Sequence, residues 1–106
     1  MKIYEVLISD KASEEMNAIY TYIAEVLLSP VAAAKQYDRI ADAILSLDAM
    51  PKRIKLMDSE PEHSKGIRAM FVDHYTVFFV IRAYTVYVIG VLYSASDISK
   101  RLLDEV

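Results

Sequence analysis

Residues 67–93, IRAMFVDHYTVFFVIRAYTVYVIGVLY, decide the fold of this chain. Most of the stretch consists of Val, Ile, Tyr, Phe and Thr, the residue types enriched in β-strands. A polar pair, Asp73-His74, divides it once, and a second polar interruption follows. We therefore expect three strands joined by tight turns in an antiparallel meander, over Ile67–Val72, Tyr75–Arg82 and Thr85–Tyr93.

The second half of this stretch also resembles a membrane span in hydropathy alone, since Tyr75–Tyr93 carries a single charge, Arg82. Strand-forming residue types and the interruption at Arg82 favour two adjacent strands instead. The opening Met1–Val6 has no apolar region of signal-peptide length. We therefore expect a cytoplasmic protein.

Two amphipathic helices are predicted after an N-terminal strand at Lys2–Ile8. Ser9 is a candidate N-cap for the first helix, Ser29-Pro30 begins the second, and Pro51 ends it. Apolar residues recur every three or four positions in both, which is the spacing of one buried helix face. They are Ala12, Met16, Ile19, Ile23 and Leu27 in the first helix and Ala33, Tyr37, Ile40, Ile44 and Leu47 in the second. The short connection predicts an antiparallel helical hairpin.

This order of elements predicts a single α+β domain over residues 1–106. Its parts are an N-terminal strand, an antiparallel two-helix hairpin, a three- to four-stranded antiparallel meander and a short C-terminal helix. A fourth meander strand is expected at Lys52–Met57, and the helix at Ile98–Glu105. The absence of cysteine excludes disulfides, zinc–thiolate sites and thiol chemistry, and we expect neither a metal nor a cofactor.

Both faces of the predicted sheet are apolar, and one helical hairpin can cover only one of them. A two-residue turn at Asp73-His74 pairs Arg68 with Phe79, Met70 with Val77 and Val72 with Tyr75. The other face carries Ile67, Ala69, Phe71, Phe78 and Val80. The uncovered face is expected either to bind a partner chain or a second copy, or to be covered by the C-terminal segment.

The net charge of −3 is unevenly distributed. Residues 10–50 hold three cations against seven acids, whereas residues 51–106 hold eight cations against seven acids. The helical hairpin is therefore acidic, and a mild basic bias lies near residues 52–68. Net charge alone disfavours a main role in binding bare nucleic acid, which requires clustered Lys and Arg.

Several short motifs, in order along the whole chain, are similar to those of one family. They are Tyr22-Ile23, Ser29–Ala33, Leu47-x-x-x-Pro51, Gly66-Ile67-Arg68, Val72–Phe79, Val91-Leu92-Tyr93 and Ser96-Asp97-Ile98. Together they resemble the RelE/ParE superfamily of bacterial type II toxin–antitoxin toxins. The resemblance implies a growth inhibitor of a plasmid-stabilisation or addiction module, neutralised by a cognate antitoxin that wraps around it.

Two activities occur on this fold, so the fold alone does not decide between them. The RelE-like branch cleaves messenger RNA in the ribosomal A site, and the ParE-like branch inhibits DNA gyrase. A third alternative is an inactive descendant that persists as a binding or regulatory module.

The nuclease alternative assigns roles to specific residues of this sequence. Arg68 matches the arginine of the family's Gly-x-Arg motif and is a candidate to stabilise the charged phosphorane. Tyr93 occupies a position that is often His in the family and is the candidate acid. The residues expected to contact RNA or another target are Lys52, Arg53, Lys55 and Lys65.

The catalytic set is incomplete, which favours the ParE-like mode. Many family members carry arginine just before the Asp of the last motif, where this chain has Ala95 and Ser96. Without the resemblance, Arg68 would be interpreted as a surface ion-pair residue and the lysines as a solvated run. The residues expected to contact the antitoxin are Met70, Val77 and Phe79. The expected assembly is a homodimer or a toxin–antitoxin hetero-oligomer.

Overall fold

A computed structural model of the chain describes residues 3–95. The elements are β1 (Glu5–Ile8), α1 (Asp10–Thr21), α2 (Pro30–Leu45), β2 (Arg68–Val72), β3 (Tyr75–Arg82) and β4 (Thr85–Tyr93). A π-helical turn at Tyr22–Val26 follows α1, and 3₁₀ turns at Ser46–Asp48 and Pro51–Arg53 follow α2. The helix expected at Ile98–Glu105 lies outside the described residues. No helix within residues 3–95 has the length and apolar character needed to cross a membrane.

The four strands form one mixed sheet in the order β1-β4-β3-β2. Strands β2, β3 and β4 form the predicted antiparallel meander. Strand β1 is added parallel to β4, so the sheet as a whole is not antiparallel. The segment between α2 and β2 returns the chain toward the end of the sheet where β1 begins, so β2 runs in the same direction as β1. Two tight turns then bring β4 parallel to β1.

The register of the meander is the one predicted from a two-residue turn. Arg68 lies opposite Phe79, Met70 opposite Val77, and Val72 opposite Tyr75. Asp73 adopts a left-handed conformation with φ of 56° at the turn, which aspartate tolerates better than most residues.

The first helix is shorter and less regular than its periodicity predicts. Ser9 is its N-cap, with Oγ accepting a hydrogen bond from the Ala12 N–H at 3.0 Å. The α-helix ends at Thr21, however, and the backbone widens into the π turn before α2 starts at Pro30. The predicted apolar positions Ile23 and Leu27 therefore lie outside the α-helix.

The strand expected at Lys52–Met57 is absent, which corrects the prediction of a fourth meander strand. The chain instead turns at Pro51–Arg53, and Leu56 makes one isolated bridge to Arg68. Two hydrogen bonds from the Arg53 guanidinium, to the carbonyls of Ala49 and Met50 at 2.7 and 3.1 Å, close this turn. After this turn the chain reaches the edge of β2, where the Met57 N–H donates to the Ile67 carbonyl at 2.9 Å beside the single bridge.

Both faces of the sheet are buried at their centres. The helices cover one face, where the core contains Ala12, Met16, Ile40, Ile44, Leu47, Met70, Val72, Val77, Phe79, Val86, Val88 and Val91. On the other face, Ile67, Phe78, Val80 and Ile89 are buried with Met57 packed against them. The second face is therefore not an open binding surface at its centre. Phe71, at the edge strand β2, remains 75% exposed.

An ion pair ties α2 to the β2–β3 turn. The Arg39 guanidinium donates two hydrogen bonds to the Asp73 carboxylate at 2.7 and 2.8 Å, and Gln36 donates a third at 3.1 Å. Hydrogen bonds from Arg39 and then Gln36 lower the pKa of Asp73. Because the carboxylate form is the one held, this contact stabilises the fold at neutral pH and is lost as Asp73 becomes protonated.

We expect Asp73→Asn to destabilise the protein at about pH 7, with the difference from wild type shrinking as the pH falls below about 4. The depressed pKa of Asp73 in the folded state gives this sign. Denaturant unfolding followed by circular dichroism measures it. The matched control is Asp58→Asn, whose partner Lys55 lies 3.6 Å away in a fully solvated i,i+3 pair. A wild-type minus Asp73→Asn difference that stays constant down to about pH 3 contradicts the role of this ion pair.

Candidate partner-binding site

A groove opens where the end of α1 lies over one end of the sheet. It has a volume of about 620 Å³ and is lined by Ala18, Ile19, Tyr22, Leu27, His74, Tyr75 and Tyr93. One wall therefore comes from the helical hairpin and the other from the β2–β3 turn and the end of β4. We call this the tyrosine groove.

The sheet register builds the strand side of the tyrosine groove. Tyr75 is the first residue of β3 and Tyr93 the last of β4, and the two are direct cross-strand partners. Their rings meet edge to face with centroids 6.0 Å apart, a favourable aromatic geometry. Burial raises the pKa of Tyr75, and the neighbouring Tyr93 and Tyr22 raise it further. The Tyr75 hydroxyl therefore stays protonated at neutral pH.

The helix side of the groove depends on how α1 is held on β4. The Glu15 carboxylate accepts a hydrogen bond from the Val91 N–H at 3.1 Å. Val91 lies just after the irregularity where the β3–β4 register shifts, so this acceptor satisfies a backbone donor close to a disrupted part of the ladder. The contact places the next turns of α1, with Ala18 and Ile19, over the end of the sheet.

The π turn shapes the tip of the helical hairpin. The Leu27 N–H donates to the Tyr22 carbonyl at 3.1 Å, and the Ser29 N–H donates to the Ile23 carbonyl at 3.0 Å. Leu28 between them has φ of 55°, a left-handed conformation in which glycine is the usual residue. Single-turn π segments occur frequently at functional sites.

The same tip exposes a run of large apolar side chains, which we call the tip patch. Its members are Tyr22, Val26, Leu27, Leu28 and Val31. Leu28 is 80% exposed, although a connection between helices is normally polar. An exposed apolar surface of this kind marks an interaction site. The sequence contained one signal for it, the apolar run Val26-Leu27-Leu28 directly before a helix start, where turn residues are usual.

The candidate nuclease residues Arg68 and Tyr93 are separated within the sheet, because Arg68 begins the edge strand β2 and Tyr93 ends β4, two strands away. Arg68 is opposite Phe79 and Tyr93 is opposite Tyr75, four positions apart along β3, or about 13 Å at the usual strand rise. The Arg68 guanidinium donates instead to the Ile54 carbonyl at 2.6 Å. The structure therefore does not bring this pair together around one phosphate.

The predicted basic contacts lie near Arg68 rather than near the tyrosine groove. The bridge from Leu56 to Arg68 places the segment of Lys52, Arg53 and Lys55 near the β2 edge of the sheet, and Lys65 is close to Arg68 in sequence. Their surroundings differ. Lys52 is exposed, Arg53 closes the turn after α2, and Lys55 pairs weakly with Asp58.

The antitoxin contacts expected at Met70, Val77 and Phe79 are buried side chains in the free chain. All three lie on the face that the helices cover, and Val77 and Phe79 are fully buried in the core. Alternation along the strands placed them correctly on one face. It did not reveal which face the helical hairpin covers.

Comparison with known proteins gives a family. Residues 6–98 match the model of the ParE toxin of the type II toxin–antitoxin system parDE. A chain of the chromosomal ParDE toxin–antitoxin system from P. aeruginosa has the same fold, with a TM-score of 0.72 and 19% identity. The alignment covers 88% of this chain and 98% of that one. Among curated proteins, none matches. Because the family model spans most of the sequence, this chain belongs to the ParE toxins of type II toxin–antitoxin systems.

Proposed function

We propose that this protein arrests bacterial growth by inhibiting DNA gyrase, and that a cognate antitoxin neutralises it by covering the tyrosine groove and the tip patch. The protein acts in the cytoplasm in this proposal. The observation that carries it is the match to the ParE toxins over residues 6–98. The separation of the candidate nuclease residues Arg68 and Tyr93 agrees with it.

The separation of Arg68 and Tyr93 supports a non-nucleolytic mode. Metal-independent RNA cleavage needs a base, a group that stabilises the phosphorane and an acid within reach of one phosphodiester. Arg68 and Tyr93 differ by four positions along β3. Ala95, where the family often has arginine, supplies no charge near Tyr93.

The exposed apolar surface supports a protein antitoxin. Leu27 and Tyr93 are about half exposed in the groove, and Leu28 is exposed beside it. A partner that covers the exposed part of these leucine and tyrosine side chains removes apolar area from water, which favours association. In this proposal the antitoxin segment is disordered alone and folds on this surface, where the apolar contact opposes the entropy cost of its ordering.

Induced expression of the protein tests the target. We expect filamentation, a DNA-damage response and loss of supercoiling in a purified gyrase assay. Pulse labelling separates the two modes, because a gyrase inhibitor leaves translation running at first. An immediate stop in protein synthesis with site-specific cuts in translated messages contradicts the gyrase proposal and favours the nuclease. Soluble protein with no growth arrest favours the inactive descendant.

Arg68→Ala is expected to remain toxic, because Arg68 holds the Ile54 carbonyl rather than a substrate. Loss of this charged hydrogen bond should lower the free energy of unfolding by about 1–2 kcal/mol, as measured by chemical denaturation. Arg82→Ala is the control, since that exposed guanidinium donates only to its own strand, at the Ile81 carbonyl. A folded Arg68→Ala variant that loses toxicity while Arg82→Ala keeps it contradicts the proposal.

Leu28→Gly is expected to weaken antitoxin binding at least tenfold without destabilising the toxin. Glycine accepts the left-handed backbone, and the relief of about 1 kcal/mol compensates for its greater freedom when unfolded. Met50→Gly is the control, because Met50 has φ of 51°, is 75% exposed, and lies at the other end of α2. Calorimetric titration of each variant with the cognate antitoxin measures both affinities. Equal antitoxin affinity of the two variants contradicts the role of the tip patch.

A further inference from the structure

The tip of the helical hairpin carries one isolated charge. Between Met16 and Ala34, Glu25 is the only charged residue. It lies between Tyr22 and Leu27, two residues that line the tyrosine groove, and its side chain is exposed. No ion pair among residues 3–95 involves it. Glu25 lies three residues after Tyr22 and directly before Val26, so its carboxylate borders the tip patch and favours a cationic group on a partner that covers the patch.

The position of Glu25 is unfavourable within the isolated chain. It lies in the last residues of the α1 and π segment, where the carbonyl end of a helix repels an acid and attracts a cation. Neither segment has a basic residue in its last turn. The free carboxylate and the helix carbonyls therefore act in the same direction, and both favour a positive group from outside.

The aromatic lining favours the same charge. Tyr22 and Tyr93 are each about half exposed, so their ring faces are available to a ligand. A lysine or arginine held against a tyrosine face gains a cation–π contact in addition to the apolar contact of its methylene stem. The helical hairpin as a whole, residues 10–50, is also acidic, with seven acids against three cations.

We propose that the tyrosine groove and the tip patch bind a basic amphipathic segment of the antitoxin. Its aliphatic side chains cover Leu27 and Leu28, and a lysine or arginine lies against the tyrosine faces with its charge near Glu25. This inference rests on the proposed function and specifies the chemistry of its partner. An acidic segment placed here would bring like charges together on a surface that excludes water.

Affinity for the antitoxin at two salt concentrations tests the charge. Wild-type affinity should fall between about 50 mM and about 300 mM NaCl, because salt screens the contact at Glu25. Glu25→Gln should bind roughly five- to tenfold more weakly at the lower salt and show a smaller salt dependence. Glu14→Gln is the matched control, an exposed acid on α1 about 16 Å earlier along the helix axis. Its affinity should equal that of wild type.

A pair of substitutions at Tyr93 tests the ring. Tyr93→Phe keeps the aromatic face and should bind within about twofold of wild type, whereas Tyr93→Leu keeps apolar bulk but loses the face and should bind roughly fivefold more weakly. Thermal unfolding of both variants checks that the exposed site tolerates the change. Equal affinities for Tyr93→Phe and Tyr93→Leu overturn the cation contact.

The possible outcomes distinguish a failure of this inference from a failure of the proposed neutralisation by an antitoxin. If the wild-type toxin does not bind the antitoxin, the proposed neutralisation fails. If it binds, and Glu25→Gln binds equally well at both salt concentrations, the basic segment is overturned while neutralisation stands. Tighter binding of Glu25→Gln would show that the occupant is acidic, which also overturns the inference. If the free toxin forms a dimer and Leu28→Gly abolishes that dimer, the surface binds a second copy of the toxin. That result would also overturn the inference.

Discussion

The cross-strand register set by the tight turn at Asp73-His74 is the constraint on which the rest of the structure depends. It directs Val77 and Phe79 to the helices, where they form the centre of the core. It also fixes the start of β3 at Tyr75, which β4 meets with Tyr93. A slip of one residue would exchange the two faces of the sheet. The bidentate pair of Arg39 with Asp73 holds this turn against α2.

Much of the fold follows from residue types over short distances. The strand formers after Gly66 predict three strands, and the spacing of apolar residues predicts two helices. The parallel addition of β1 does not follow, because it depends on how the chain returns across the sheet after α2. The turn at Pro51–Arg53 does not follow from the residue pattern either, because Met50 before it adopts a left-handed conformation, with φ of 51°, that methionine rarely takes.

The sequence predicts less of the candidate site than of the fold. The resemblance makes Tyr93 a candidate acid, but Tyr93 lines an apolar groove with Tyr75. The Gly-x-Arg motif makes Arg68 a candidate, but the sequence does not reveal that Arg68 lies on the edge strand β2, four positions along β3 from the level of Tyr93. Helical periodicity also predicts Leu27 in the core, but Leu27 is exposed. The π turn before it changes the direction of every later side chain, and the sequence pattern does not reveal that turn. Leu28 and Glu25 had no assigned role.

The sheet carries two different surfaces. Basic residues near Arg68 lie along its β2 edge, and the tyrosine groove with the tip patch lies where β3 begins and β4 ends. Hydrogen–deuterium exchange of the toxin with and without its antitoxin tests most directly which surface the partner covers. The account predicts that the antitoxin slows exchange over residues 18–31 and around His74 and Tyr93, with residues 52–68 unchanged. Slower exchange over residues 52–68 alone would contradict it.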